Sequence, residues 1–382
     1  MSIAGDGIVE GSARIFVPAL MFQAVAIGGA YATGREIIEF GAVFGALGWG
    51  AGVAMAVVGA VLSYLVYETA RRYRLFDYSA MTRHLIGRFS WLFDVIYIPF
   101  AIAIFAVLSS ATGNILRDTL GLDYWVGVTA IVVVSAVVTL QGTDVIEKFN
   151  GIGTILLMAG YVVFSILVIA THWDNLVRVF SAMDHSLRPD AGIGDALLVG
   201  AIYVGLGFVV YPSTLMTVRH LRSRRDAAAA GILTGSLFVV PWFLTFFALM
   251  GFYPSPVVFD APVPWLVMLQ EHPGFIVLIY GVLVGWTLVA TAVGILQSII
   301  IRVDQTLIET GRPTLAFAQK SAITLVSLLV GALLAQIGII HLIAIGYLIG
   351  AIALLVVFGL PLVVRSGKFL LPGARETGEI AS

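Results

Sequence analysis

Ten stretches of this 382-residue chain are long and apolar enough, or nearly so, to cross a bilayer, where a helix needs about 20 mostly apolar residues. They fall near 13–43, 47–70, 90–116, 124–141, 146–171, 193–219, 227–252, 274–302, 316–336 and 339–364. Backbone N–H and C=O groups in lipid must be paired within the segment, so these stretches read as α-helices. Composition agrees: 60% of residues are apolar and 11% charged, whereas a soluble domain carries about 25% charged residues. A soluble chain of this make-up would expose large apolar patches and aggregate. The polar stretches 171–192 and 252–274, and the tail after 365, are too short to bury cores of their own. Residues 1–382 therefore read as a single transmembrane domain with a short cytoplasmic tail at 365–382. Shorter amphipathic helices are expected at 75–87, between spans two and three, and at 262–271, before span eight.

The Lys and Arg residues orient the spans, because cytoplasmic loops carry an excess of both. With the N-terminus inside, 17 of the 21 fall on the cytoplasmic side and only Arg35, Arg117, Arg178 and Arg188 lie outside. Both termini are then cytoplasmic. A cleaved signal peptide is a competing account of residues 15–32, but Asp6, Glu10 and a single basic residue, Arg14, do not make its leader. The segment reads as a retained helix. The net charge of −1 gives no sign of a nucleic-acid partner. With no cysteine in the chain, disulfides, thiolate metal sites and cysteine nucleophiles are excluded. Metalloprotease, nucleophile-elbow, P-loop and dinucleotide motifs are absent, and histidines do not cluster. The chain does not read as an enzyme.

Two spans carry helix breakers at mid-depth. Span one contains Gly28, Gly29 and Gly34, and span six contains Gly205, Gly207 and Pro212. Glycine inside a helix costs about 1 kcal/mol against alanine, and proline removes a donor and clashes with the preceding turn. Small residues also serve close helix packing, but these two spans open two blocks of five, 13–171 and 193–364. Matching interruptions in two halves point to a transporter site, and an odd number of spans per repeat forces the halves to be inverted. The expected fold is all-α, a 5+5 inverted repeat with spans one and six discontinuous. Unwound main chain would then offer N–H groups to a carboxylate and carbonyls to a cation. The GxxxG pairs Gly48/Gly52 and Gly346/Gly350 read as packing.

The run Gly29-Ala-Tyr-Ala-Thr-Gly-Arg-Glu-Ile-Ile-Glu-Phe40 resembles the signature of YkvI-like bacterial membrane proteins. That group is similar to the amino acid–polyamine–organocation superfamily, with its LeuT-type fold. Gly142-Thr-Asp-Val-Ile-Glu-Lys-Phe-Asn150 looks like the start of the fifth helix there. The resemblance implies a secondary transporter but names no solute. In span eight, Ala290-Thr-Ala-Val-Gly-Ile-Leu-Gln297 resembles the stretch that gives hydroxyls to sodium in sodium-coupled members. The matching positions are the carbonyls of Val25, Gly28 and Thr287 and the hydroxyl of Thr291, whereas the hydroxyl expected at Ala290 is missing. These threonines could equally bond the carbonyl four residues back. A lysine midway along span five marks some sodium-independent relatives; Lys148 here lies instead at the cytoplasmic mouth.

The main chain of Gly28, Gly29, Ala30, Gly205 and Gly207 is the candidate solute cradle, with Tyr97, Tyr203, Phe208 and Tyr211, and less specifically Trp286, as walls. Arg35 and Glu39 are four apart and can meet on one helix face. Arg35 resembles the outer-gate arginine of LeuT-type proteins. The usual acidic partner in span ten is absent, leaving His341 as the nearest polar candidate. The competing account puts Arg35, Glu36 and Glu39 in the outer headgroup region. Asp94, Asp195 and Asp304 read as solvated helix ends. The expected function is alternating-access transport of a small organic solute, an amino acid or related amine, across the cytoplasmic (inner) membrane, with sodium as the coupling ion. The solute and the lipid bilayer are the implied partners; no oligomeric state is implied. A nutrient receptor or sensor of transporter fold, and a proton-coupled permease, stay open as alternatives.

Overall fold

In the computed structural model, residues 13–26, 29–140 and 158–371 are described. Apart from the turns and loops that join them, these residues are helical, with no strand among the described residues. Six helices are long and apolar enough to span a membrane: Ala42–Tyr73, Trp91–Leu120, Arg224–Met250, Gly274–Ile308, Phe317–Ile337 and Ile339–Leu370. Two bent pairs qualify together, Met158–Thr171 with Trp173–Ser181 and Ile193–Val209 with Tyr211–His220. Two shorter apolar helices, Ala13–Ala26 and Tyr124–Leu140, complete the set. Every stretch read as a span thus has a helix in it. Val57, Val163, Leu198 and Val282, among many others, are exposed along these helices, the surface that a hydrocarbon solvent tolerates and water does not.

The helices are labelled in chain order. They are α1 (Ala13–Ala26), α2 (Arg35–Phe40), α3 (Trp49–Tyr73), α4 (Tyr78–Ile86), α5 (Trp91–Leu120) and α6 (Tyr124–Leu140). Next come α7 (Met158–Thr171), α8 (Trp173–Ser181), α9 (Ile193–Tyr203), α10 (Tyr211–Thr214) and α11 (Arg224–Met250). The last are α12 (Pro256–Phe259), α13 (Pro264–Leu269), α14 (Gly274–Glu309), α15 (Phe317–Leu334) and α16 (Ile339–Leu370). The short helix expected at 75–87 is α4, whose Asp77 cap accepts from the Ala80 N–H at 2.8 Å. The one expected at 262–271 is α13, with Pro264 in its first turn, where proline's missing donor costs nothing.

In lipid the hydrophobic effect does not press helices together, so small residues that let backbones approach carry the packing. The seam between α3 and α11 shows this. A Cβ added at Gly231 would lie 2.6 Å from the Tyr64 nitrogen, and one at Gly235 would lie 2.7 Å from the Ala56 oxygen. Gly48, Gly52 and Gly350 are packing glycines as expected: added Cβ atoms would strike the Gly41 oxygen at 2.4 Å, Phe243 at 2.5 Å and Phe100 at 2.3 Å. Gly346 is not, since it faces open space. It lies in Leu342–Tyr347, one of two π-helical stretches of α16, the other being Leu355–Gly359. Such wide turns gather at functional sites, and nothing in the sequence pattern announced them.

Candidate solute-binding site between two interrupted helices

Span one does not run through as one helix. α1 ends at Ala26, a tight 3-10 turn covers Gly29–Thr33, and α2 starts at Arg35. Gly34 separates the turn from α2 at φ 82°, a left-handed conformation that favours glycine, and a Cβ there would also press on Trp265 at 3.0 Å. Span six is interrupted as well. α9 passes at Tyr203 into the tight turn Val204–Val209, and the axis bends by 53° before Tyr211. Pro212 stands in the first turn of α10, ending one helical piece and starting the next.

The unwound main chain of span one is tied down by phenols from distant helices. The Tyr161 hydroxyl donates to the Tyr31 carbonyl at 2.8 Å, and the Tyr280 hydroxyl to the Ala32 carbonyl at 3.0 Å. An aromatic box closes around the two breaks. Phe238 of α11 is its hub, stacked on Tyr203 at 6.0 Å and edge-on to Phe22 at 5.6 Å. Tyr211 packs on Phe22 at 5.0 Å, and its hydroxyl shares a 2.8 Å hydrogen bond with Ser63. Phe208 lies 4.9 Å from Phe358 and 5.6 Å from Tyr211. Gly207 faces Phe22, where an added Cβ would sit 3.2 Å from the ring. Gly205 is a close-approach glycine: a Cβ would fall 2.4 Å from the Ala351 oxygen of α16.

The expected residues distribute as follows. Gly29 and Ala30 belong to the tight turn, Gly28 lies outside the described residues, and Val25 is in the last turn of α1 with its side chain partly exposed. Tyr203, Phe208, Tyr211, Gly205 and Gly207 meet at the break. Tyr97 is displaced from it toward another cluster, bonding Ser298 at 2.8 Å and lying beneath the Arg302 guanidinium at 3.7 Å. Trp286 is half-buried in α14. The two threonines of α14 part company. Thr287 donates to the Leu283 carbonyl at 2.9 Å, while Thr291 has no hydrogen-bond partner among the described residues.

Arg35 meets Glu39 one turn on, and the same guanidinium reaches the carbonyls of Phe259 and Ala261. It thereby clamps the loop carrying α12 and α13 over the end of span one. Arg35 and Glu36 are 5% and 6% exposed, so both side chains are enclosed by protein. His341 is not among the partners of Arg35; it is exposed and lines a cavity of about 450 Å³ with Ser110, Asn114, Tyr124 and Gln336. Glu36 accepts a hydrogen bond from the Tyr203 hydroxyl.

Sequence reasoning missed a second clamp. Arg302 of α14 pairs with Asp94 of α5 and lies over the rings of Tyr78 and Tyr97 at 3.7 Å each and Phe93 at 4.8 Å. Asp94 is thus an ion-paired residue of the first turn of α5, its side chain still partly exposed. Asp304 is paired too, with Lys320 at 3.0 Å, and accepts from the Leu315 N–H. Asp195 caps α9 through the Gly192 N–H at 2.7 Å. The Gly142–Asn150 motif and Lys148 lie outside the described residues.

No protein-family model matches the chain. In sequence it is similar to the uncharacterized membrane protein YkvI of Bacillus subtilis (strain 168), 22% identical over 270 residues that span 69% of this chain and 75% of that protein. It is also similar to the uncharacterized protein YyaD of the same organism, 25% identical over 57% of this chain and 70% of that one. Among solved structures, Mhp1, a nucleobase-cation-symport-1 family transporter in a closed conformation with bromovinylhydantoin bound, superposes with a TM-score of 0.62 at 18% identity, over 93% of this chain and 79% of that one. MhsT in complex with L-phenylalanine gives 0.59 at 14% identity, over 95% and 93%. A Na+-coupled sialic acid symporter, substrate-bound and outward-open, gives 0.52 at 16%, over 94% and 84%. The fold is of the LeuT type. Within the LeuT-type fold, the two interrupted helices, the aromatic box and the Arg35 clamp stand as one assembly facing the loop of α12 and α13.

Proposed function

We propose that this chain is a secondary active transporter of a small organic solute, an amino acid or related amine, working by alternating access and driven by sodium. The observation that carries the reading is the pair of tight turns that interrupt spans one and six, Gly29–Thr33 and Val204–Val209. Irregular backbone at membrane depth is tolerated where it lines a cavity or is buried in protein, and paired interruptions are the usual mark of a transporter site. The helices are read as ten spans, two inverted repeats of five at 13–171 and 193–364, with both termini cytoplasmic in the inner membrane. The solute is held mainly by main-chain groups at residues 28–30 and 205–207, with Tyr203, Phe208 and Tyr211 as walls. No covalent chemistry is part of this reading.

Sodium is supported by Thr291, a hydroxyl without a partner among the described residues on the helix that bears Thr287, and by a Na+-coupled symporter among the solved structures of this fold. The proposed ligands are Val25, Gly28, Thr287 and Thr291. The test is uptake of radiolabelled amino acids and amines into proteoliposomes, with and without an inward sodium gradient. Sodium-stimulated accumulation is expected, and loss of the sodium response in Thr291→Ala. Binding without uptake would make the chain a receptor instead. Gly29→Leu and Gly207→Leu should abolish solute binding in monodisperse protein; normal affinity in both would place the site elsewhere.

A further inference from the structure

We propose that Glu36 is a proton-binding site whose occupancy permits the outer loop of α12 and α13 to close over span one. The inference rests on reading the two interrupted helices as an alternating-access gate. Glu36 sits in α2, the outer piece of span one, and bonds Tyr203, the last residue of α9, the outer piece of span six. One carboxyl group therefore joins the two half-helices beside the solute site.

Among the described residues, no cation bonds that carboxyl. Its neighbour Arg35 turns Nη2 to Glu39 and Nη1 to the Phe259 and Ala261 carbonyls. The titratable groups around it are phenols: Tyr203 from α9, Tyr347 from α16, Tyr161 from α7 and Tyr31 from its own span. The segment Ala42–Gly48 that packs on α2 holds no titratable residue. The charged residues of α11, which also packs there, are confined to its first turn. Burying a carboxylate without a cation or a full set of donors costs several kcal/mol. A neutral carboxylic acid hydrogen-bonded to a phenol carries no such penalty.

The closed arrangement therefore holds the proton. Ionised Glu36 needs water, and the proposed route for it opens when the loop held by the neighbouring Arg35 lifts. The step is a simple one: a hydrated proton from the outer side forms an O–H bond with the Glu36 carboxylate, and no other bond changes. Closure is then favoured at low pH and weakens as pH rises, because the open state releases the proton that the closed state keeps.

The cysteine-free chain allows a direct test that uses no solute. Val263, on the loop between α12 and α13, is 2% exposed. In right-side-out vesicles, Val263→Cys is labelled with a membrane-impermeant maleimide across a pH series. The same series in Val263→Cys with Glu36→Gln corrects for ionisation of the thiol itself. After correction, the rate with Glu36 present should rise with pH by up to about tenfold per unit, the limit for one linked proton. Identical curves in the two backgrounds would overturn the proposal. Infrared difference spectra of the full chain in lipid should show a protonated carboxyl band that disappears in Glu36→Gln; its absence at neutral pH would also overturn it. Should Glu36→Gln fail to fold, Tyr203→Phe removes the phenol that favours the carboxylate and should move the labelling rise to higher pH. An unmoved midpoint counts against the site. If these results hold in a chain that moves no solute, the proton site stands and the transport reading falls.

Discussion

Two buried arginines face opposite tasks. Arg35 and Arg302 are 5% and 3% exposed, and each is paired with an acid. Arg35 takes its acid from its own helix one turn away and gives Nη1 to backbone carbonyls of a loop. Arg302 takes its acid from α5 and is roofed by three aromatic rings from α4 and α5. Lifting the loop from Arg35 leaves its ion pair whole, so little charge is stranded. Pulling Arg302 away strands a carboxylate and empties a stack. The first is a latch and the second a rivet.

The contrast is breakable in order of effect. Arg302→Ala should cost about 3 kcal/mol of stability, the low end for breaking a buried pair, because Asp94 keeps some access to water at 34% side-chain exposure. A thermal unfolding midpoint in mild detergent reads this, and an unchanged midpoint would show that the cluster holds nothing. Arg35→Ala should cost less stability, about 1.5 kcal/mol for charge-assisted bonds to carbonyls. That loss equals about a tenfold gain of the open form, visible as faster labelling of Val263→Cys. A large fall in the unfolding midpoint with no change in labelling would make Arg35 a rivet too. Tyr97→Phe keeps the ring under Arg302 and deletes the bond to Ser298, so about 1 kcal/mol is expected. Smallest is Glu39→Gln: the carbonyl partners of Arg35 remain, and labelling should rise only about twofold to threefold for a loss of roughly 0.5 kcal/mol.

What the sequence could announce was whatever repeats along it. Long apolar runs gave the helices, and the positions of Gly34, Gly205 and Pro212 gave both interruptions. The proline-led helix α13 and the capped helix α4 were equally plain. What stayed hidden depends on partners far apart in the chain. Asp94 and Arg302 are separated by 208 positions, so each alone looks like a helix end at the water boundary. The bond of Glu36 to Tyr203 is hidden in the same way, because the two are 167 positions apart. Phe238, the hub of the aromatic box, sits in a span so rich in phenylalanine that no single ring stands out. Gly346 matched a packing spacing, but a π turn carries it off the packed face, and such a turn leaves no mark in a pattern of small residues. Thr287 and Thr291 look alike in the sequence, and only the helix geometry separates the hydroxyl that is bonded from the one that is not.

The glycine seam between α3 and α11 supplies something that a moving protein rarely offers, a ruler of fixed length. Where Gly231 and Gly235 let the two backbones touch, there is no slack for sliding and no room for water, so those spans travel together or not at all. A pair of spin labels across the seam should report one distance in every condition. Any pair reaching from the seam to α5 or α14 can be read against it, separating true displacement of the scaffold from the tumbling of the labels themselves.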